Sequence, residues 1–278
     1  MGRVTTRRPV LRITADRATR RPDTLAVEEP LEIRVGGESL TITMRTPGHD
    51  VDLVHGFLLA EGMIGSREDI AAVRYCDGVD ESGANTYNVL DVALAPGVTV
   101  PEGTGRRAFT TTSACGVCGK NSLDEVRTRT RYPLKDAGTT SIGTHTLTEL
   151  PDTLRRHQQV FESTGGLHAA ALFTPDGALL ALREDVGRHN ALDKLIGALA
   201  RADLDVREGF LVVTSRASYE MVQKAATFGI ARLAAISAPT ALAIQLAEST
   251  GVTLIGFARP EGHVVYAPSG ARAAAEDA

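Results

Sequence analysis

From Leu167 onward, short runs of branched apolar residues alternate with longer segments of helical period. A chain patterned in this way must layer helices on a sheet, which fixes its class as α/β. Strands are predicted at Leu167–Phe173, Ala178–Arg183, Leu211–Val213, Leu233–Ile236 and Thr253–Phe257, with helices at Ala191–Arg201, Tyr219–Gly229 and Ala241–Thr250. A further helix is predicted from about Pro151 to Ser163, stopping at Gly165-Gly166. Strand, helix, strand in succession makes the sheet largely parallel through its last strands.

The amino-terminal part has a different rhythm. Seven arginines between Met1 and Asp23 face only Asp16 and Asp23, so residues 1–24 read as a basic, flexible arm. Residues 25–95 read as a small α+β domain: Leu31, Ile33 and Val35 alternate toward Gly36-Gly37, and Leu40, Ile42 and Met44 return from it as a hairpin. Asp50 is the predicted cap of a helix carrying Val54, Phe57 and Leu58, and strands follow at Ile70–Tyr75 and Tyr87–Leu94. His49, His55 and Cys76 are expected to be solvated or packed. Prolines and glycines over residues 96–107 mark a linker, and 108–278 is the larger α/β domain. With 30 Lys and Arg against 34 Asp and Glu, no basic field favours nucleic acid, and no apolar run reaches membrane-spanning length.

Two of the three cysteines lie in Thr110-Thr111-Thr112-Ser113-Ala114-Cys115-Gly116-Val117-Cys118-Gly119-Lys120. A thiol reacts as its thiolate; the glycines keep the sulfur accessible, Lys120 adds positive charge, and a helix starting near Val117 would turn its amides toward Cys115. A C-x-x-C pair serves zinc, dithiol redox chemistry or sulfur carriage. Structural zinc needs a second pair of ligands, which the sequence lacks, so no metal is expected. Zinc-deaminase chemistry needs H-x-E, and His168-Ala169-Ala170 lacks the acid. Three cysteines in a chain of 278 residues suit a reducing cytoplasm.

In α/β sheets ligands settle at the carboxyl ends of strands. Three polar loops fall there: Thr214–Ser218 with Ser215 and Arg216, Ser237–Thr240, and Ala258–Gly262 with Arg259. Hydroxyls, helix amides and two arginines fit an anionic ligand such as a nucleotide, although Ser and Thr also cap helices. Arg183-Glu184-Asp185-Val186-Gly187-Arg188-His189-Asn190 carries more charge than capping requires, and His168 opens a neighbouring strand.

The cysteine stretch, Gly166-Leu167-His168-Ala169, and Glu184 through Ala191 with Lys194, in that order, resemble the formate dehydrogenase accessory sulfurtransferase family, FdhD. The resemblance runs from Thr46-Pro47-Gly48 and Gly56-Phe57-Leu58 to the carboxyl end. It implies a cytoplasmic sulfur carrier that takes sulfur from a cysteine desulfurase as a persulfide on Cys115 and passes it to the molybdenum cofactor of formate dehydrogenase. The cofactor is implied to be the bis(molybdopterin guanine dinucleotide) form, held by Phe257, Ala258, Arg259, Pro260, Glu261 and Gly262. Ser215, Arg216, Ser237, Thr240, His168, Arg188 and His189 are the further expected contacts. The family also implies a cytidine-deaminase-like fold in the larger domain and a homodimer. Cys118 is left as relay, disulfide partner or bystander. A dithiol oxidoreductase and a cofactor chaperone without thiol chemistry are the competing readings.

Overall fold

A computed structural model describes residues 4–76, 78, 86–100, 134 and 143–267. The stretch read as a basic arm is, over its described part, an antiparallel ribbon of β1 (Thr5–Ile13) and β2 (Ala18–Ala26). Counting arginines missed the β-propensity of its Thr, Val, Leu and Ile residues. Arg8 faces Asp23 across the pair, Pro9 faces Pro22, and the amide of Thr14 donates to the carbonyl of Arg17 at 2.9 Å to close the turn.

The predicted hairpin forms as β3 (Glu29–Val35) and β4 (Glu38–Arg45). Gly36 and Gly37 connect them with φ of 60° and 86°, a pair of left-handed values that glycine adopts without steric cost. β5 (Ile70–Tyr75) and β6 (Val89–Leu94) complete a four-stranded sheet in the order β4-β3-β6-β5. Between β4 and β5 runs α1 (Asp50–Ala60). Asp50 is not its cap: His49 holds that position with φ 56°, and the Asp50 carboxylate instead accepts from Arg45 Nε and Nη2 at 3.1 Å each and from the Tyr75 hydroxyl at 2.9 Å. An arginine buried at 1% exposure needs a counterion more than the helix needs a cap.

The single helix expected from Pro151 to Ser163 is two, α2 (Thr144–His157) and α3 (Gln159–Thr164), broken at Gln158. Pro151 lies inside α2, where its ring removes one amide but leaves the flanking turns to propagate. Then come β7 (His168–Phe173), β8 (Leu179–Asp185), α4 (Arg188–Arg201), β9 (Phe210–Val213), α5 (Tyr219–Thr227), β10 (Arg232–Ala235), α6 (Ala241–Thr250), β11 (Thr253–Arg259) and β12 (Gly262–Ala267). They make a six-stranded mixed sheet, order β12-β11-β10-β9-β7-β8. β9, β10 and β11 are parallel as expected; β12 was not foreseen and returns antiparallel along β11.

Alternation along the strands sends side chains to two apolar clusters. Leu147, Leu150 and Leu154, one face of α2, bury against Ala169, Ala171, Phe173 and Val212. The opposite positions Ala170, Leu172, Leu211 and Val213 join a larger cluster with Leu192, Ile196 and Val222, and that cluster continues into Leu31, Ile33, Leu53, Leu58 and Leu90 of the amino-terminal sheet and α1. At roughly 1.5–3 kcal/mol for each fully buried large side chain, this shared cluster couples the two sheets. The expected linker lies largely outside the described residues, as do Cys115 and Cys118.

The closest approach of the two halves is a helix crossing at glycines. A Cβ on Gly56 of α1 would stand 1.7 Å from the Asp193 carbonyl oxygen, and one on Gly197 of α4 would stand 1.9 Å from the Asp52 carbonyl oxygen. Beside this crossing the buried Asp52 carboxylate accepts from Arg183 Nε and Nη2 at 3.0 and 2.9 Å and from Arg201, with His49 Nδ1 at 3.6 Å. Burial pushes its pKa up, but the hydrogen bonds from His49, Arg201 and Arg183 outweigh that and hold it well below the usual carboxylate range. Asp52 therefore adds stability that is present above the unfolded value of about 3.9 and is lost as pH falls toward the folded one. Denaturation midpoints of wild type and Asp52→Asn should differ most near pH 7 and converge below about pH 4; a gap that stays constant to pH 3 would rule this out.

Candidate nucleotide-binding edge

β8 and β9 both pair antiparallel with β7, so the carboxyl ends of β8, β9, β10 and β11 and the start of β7 share one edge of the sheet. His168 begins β7 there, opposite Asp185. Its Nδ1 is 3.5 Å from Thr214 Oγ1, which also accepts from the Ala169 amide at 2.9 Å. Burial, reinforced by the charge of Arg188, lowers the His168 pKa against the opposing pull of Asp185, so the ring is neutral at pH 7.

The three polar loops are stitched to one another. Ala217 and Pro239 form an isolated parallel bridge, the Thr240 amide donates to Ala217 O at 3.0 Å, and the Phe257 amide donates to Ser237 O at 3.2 Å. Gly256 permits the last contact: a Cβ there would lie 2.7 Å from Pro239 Cδ and 2.9 Å from Tyr266 Cε2. The loops therefore form one surface. Not every expected contact is open to a ligand. The Thr240 hydroxyl accepts from Ala243 N at 3.3 Å as the cap of α6, and the buried Ser215 hydroxyl donates to Arg216 O at 3.0 Å.

What stays exposed is Arg216, Arg259 and the ring of Phe257. Phe257 sits at φ 51° in a bulged stretch of β11, and the Arg259 guanidinium lies 5.8 Å from its ring centroid. The loop Ala258–Gly262 is thus a hairpin turn joining β11 to β12, rather than a lead into a helix. An aromatic ring beside the Arg259 guanidinium, with Arg216 on another loop of the same edge, could offer a stacking surface for a flat base and charge for phosphates. Glu261 is also exposed on that turn. Gly187 and Ser218, the N-caps of α4 and α5, make no side-chain cap bond, and the amino ends of both helices lie at the same edge.

Most of the charge in the Arg183–Asn190 segment is spent internally. The Asp185 carboxylate, fully buried, accepts from Gly187 N at 2.8 Å, Asn190 Nδ2 at 3.2 Å and Thr46 N at 3.1 Å, and pairs with Lys194 Nζ at 2.6 Å. Lys194 donates to Thr46 O at 2.7 Å and Asn190 to Met44 O at 2.7 Å, so the motif fastens the amino-terminal sheet to α4. Glu184 accepts from the amides of Val160 and Phe161 at 3.1 and 2.9 Å and caps α3. Arg188 and His189 remain at the edge, and His189 Nε2 lies 2.6 Å from Glu220 Oε2 on the first turn of α5. Sequence reading missed Glu220, and also the buried group of Lys224 with Asp193 at 2.9 Å and Glu61 at 3.0 Å. An acid in the first turn of a helix is the signal that Glu220 offered, but first-turn acids also serve the helix dipole. Among the described residues no cluster of three or more His, Cys, Asp or Glu could hold a metal ion, and no helix is long and apolar enough to cross a membrane.

These features define a mixed α/β protein with a basic, aromatic-faced strand edge. Comparison places it more closely: residues 26–272 match the FdhD/NarQ family, and the chain belongs to that family. It is 59% identical over 266 residues to the sulfur carrier protein FdhD of Nocardia farcinica, spanning 95% of this chain and 94% of that one. It is 54% identical over 268 residues to the sulfur carrier protein FdhD of Streptomyces coelicolor, spanning 96% and 95%. A crystal structure from Desulfotalea psychrophila, provisionally described as a formate dehydrogenase accessory protein, shares the fold with a TM-score of 0.75 at 21% identity, over 97% of this chain and 99% of that one.

Proposed function

We propose that this chain carries sulfur to the molybdenum cofactor of formate dehydrogenase in the cytoplasm; its relatives' name, sulfur carrier protein, supports the sulfur carriage. In this reading the Cys115 thiolate attacks the outer sulfur of a cysteine desulfurase persulfide. A sulfur–sulfur bond forms at Cys115, the donor's breaks, and the donor departs as a thiolate, with no net oxidation. Attack by the Cys118 thiolate on Cys115 Sγ then releases hydrosulfide and leaves a Cys115–Cys118 disulfide for a dithiol to reduce. The substrate is the bis(molybdopterin guanine dinucleotide) form of the cofactor, gripped by its guanine nucleotide at the carboxyl edge of the sheet. The observation that carries the reading is the exposed set Phe257, Arg259 and Arg216 on stitched loops, with Arg188 and neutral His168 beside them. A cytidine-deaminase-like fold for the larger domain and a homodimer belong to the same proposal; parallel β9, β10 and β11 between antiparallel neighbours are compatible with the former.

Protein incubated with an active desulfurase and cysteine should gain the mass of one sulfur atom on the Cys115 peptide, and Cys115→Ser should gain none and fail to restore formate dehydrogenase in a deficient strain. Restoration by Cys115→Ser would favour the chaperone reading, and reversible reduction of a substrate disulfide without the adduct would favour the oxidoreductase. Arg259→Ala should weaken GDP binding by about tenfold or more, as loss of a charge-assisted contact does.

A further inference from the structure

A recess lies at the β8 border of the sheet. It encloses about 360 Å³ between the β4–α1 loop, the α2–α3 break and the last residues of β8. That volume is within the range of small-molecule sites. Pro47, Val160 and Leu167 give it apolar walls, while His49, His157 and Arg183 supply polar groups.

Arg183 and His157 are held by hydrogen bonds, while the His49 side chain is largely exposed. Arg183 is fixed by two bonds to Asp52 and one from Nη1 to Leu182 O at 2.8 Å, which sets the plane of a guanidinium able to stack on a flat ring. His157 Nδ1 lies 2.8 Å from the Thr153 carbonyl, which can only accept; Nδ1 thus carries the hydrogen and Nε2 is left as an acceptor. His49 stands in the left-handed region at φ 56° directly after Gly48 at φ 97°, a conformation with a steric cost for a residue bearing a Cβ. At the break between α2 and α3, the Gln158 side chain is buried at 3% exposure with its Nε2 unpaired. Apolar walls with fixed donors and acceptors at their margin suit a polar heteroaromatic ring rather than a lipid or a metal ion.

We propose that this recess receives the pterin end of the substrate, a deepening that rests on the function proposed above. β11, which carries Phe257 and Arg259, and β8, which carries Arg183, are four strand spacings apart, about 19 Å at ordinary sheet geometry. One half of that substrate, a guanine joined through a pyrophosphate to a pterin, lies along that edge with both of its ends engaged. The bicyclic ring sits between the apolar walls, the Arg183 plane faces it, and the imidazole of His157 accepts from its amino or ring N–H.

The test uses the full chain with two probes, fluorescent pterin-6-carboxylate and GDP, each titrated alone and in the presence of the other. Pterin is expected to bind saturably and to remain bound at saturating GDP. Val160→Phe, which fills the recess, should weaken pterin at least tenfold and leave the GDP dissociation constant within twofold; Leu167→Phe, on a different wall, provides the same readout should the first variant fold poorly, with circular dichroism reporting folding. Arg259→Ala should show the reverse pattern. GDP binding with no pterin binding, displacement of pterin by GDP, or indifference of pterin to both filling variants overturns the assignment of the recess. Pterin binding that obeys the filling variants with no GDP binding would uphold the recess and sink the nucleotide reading instead.

Discussion

Gly197→Ala should lower the melting temperature by roughly 6–12 °C, the equivalent of about 3 kcal/mol in a chain of this size. The methyl would enter at 1.9 Å from a backbone carbonyl oxygen of α1, and nothing flexible is there to yield. The helices can separate only by opening the apolar cluster they share with both sheets. Gly56→Ala meets α4 backbone at 1.7 Å and should behave alike, and the double variant should cost less than the sum because one displacement of the helices relieves both clashes. Thermal unfolding followed by circular dichroism measures this. A Gly197→Ala protein that melts within 2 °C of wild type would mean that the helices do not cross so tightly.

Lys194→Met should be the other severe change, at about 3–5 kcal/mol, because it strands a fully buried carboxylate. Burial raises the Asp185 pKa, while the Lys194 ammonium and the hydrogen bonds from Gly187 and Asn190 work against it. Removing the ammonium leaves burial the stronger, so the carboxyl must take up a proton or draw in water. Asp185→Asn combined with Lys194→Met removes both charges, and the double variant should recover most of the loss. Urea midpoints for the two single variants and the double would show this; a double variant no more stable than Lys194→Met would rule out the pair as the cause.

The α/β rhythm was readable from residue 167 because buried strands and amphipathic helices differ in period, and β7 through β11 fall within a few residues of their predicted places. β12 was hidden because Val264 and Val265, its most apolar stretch, are exposed, so it lacks the buried run of the interior strands. The ribbon of β1 and β2 was hidden for a similar reason: arginine recurs along both strands, and most of their residues are exposed, so no buried face marks them. At the candidate edge, the placement of Arg216 and Arg259 followed from the rule that ligands meet strand carboxyl ends, whereas Arg188 stood out by the charge of its segment and His168 by opening a strand. What local sequence could not reveal was how charge is spent. Asp185 in a polar segment and Lys194 on the following helix look like surface residues until Thr46, more than a hundred positions away, supplies an amide and a carbonyl to them.

That long-range knot has a kinetic meaning. During synthesis the amino-terminal sheet leaves the ribosome with Thr46 and Arg45 already in place, but the groups that satisfy Thr46 emerge some 140 residues later, at a separation of 139 for Asp185 and 148 for Lys194. Loop closure over such a distance comes before any gain from the contacts, so the first half must wait, incompletely docked, for the second. The polar bridge thereby orders assembly: the carboxyl end of β8 and the start of α4 are completed only after two segments some 140 residues apart have met.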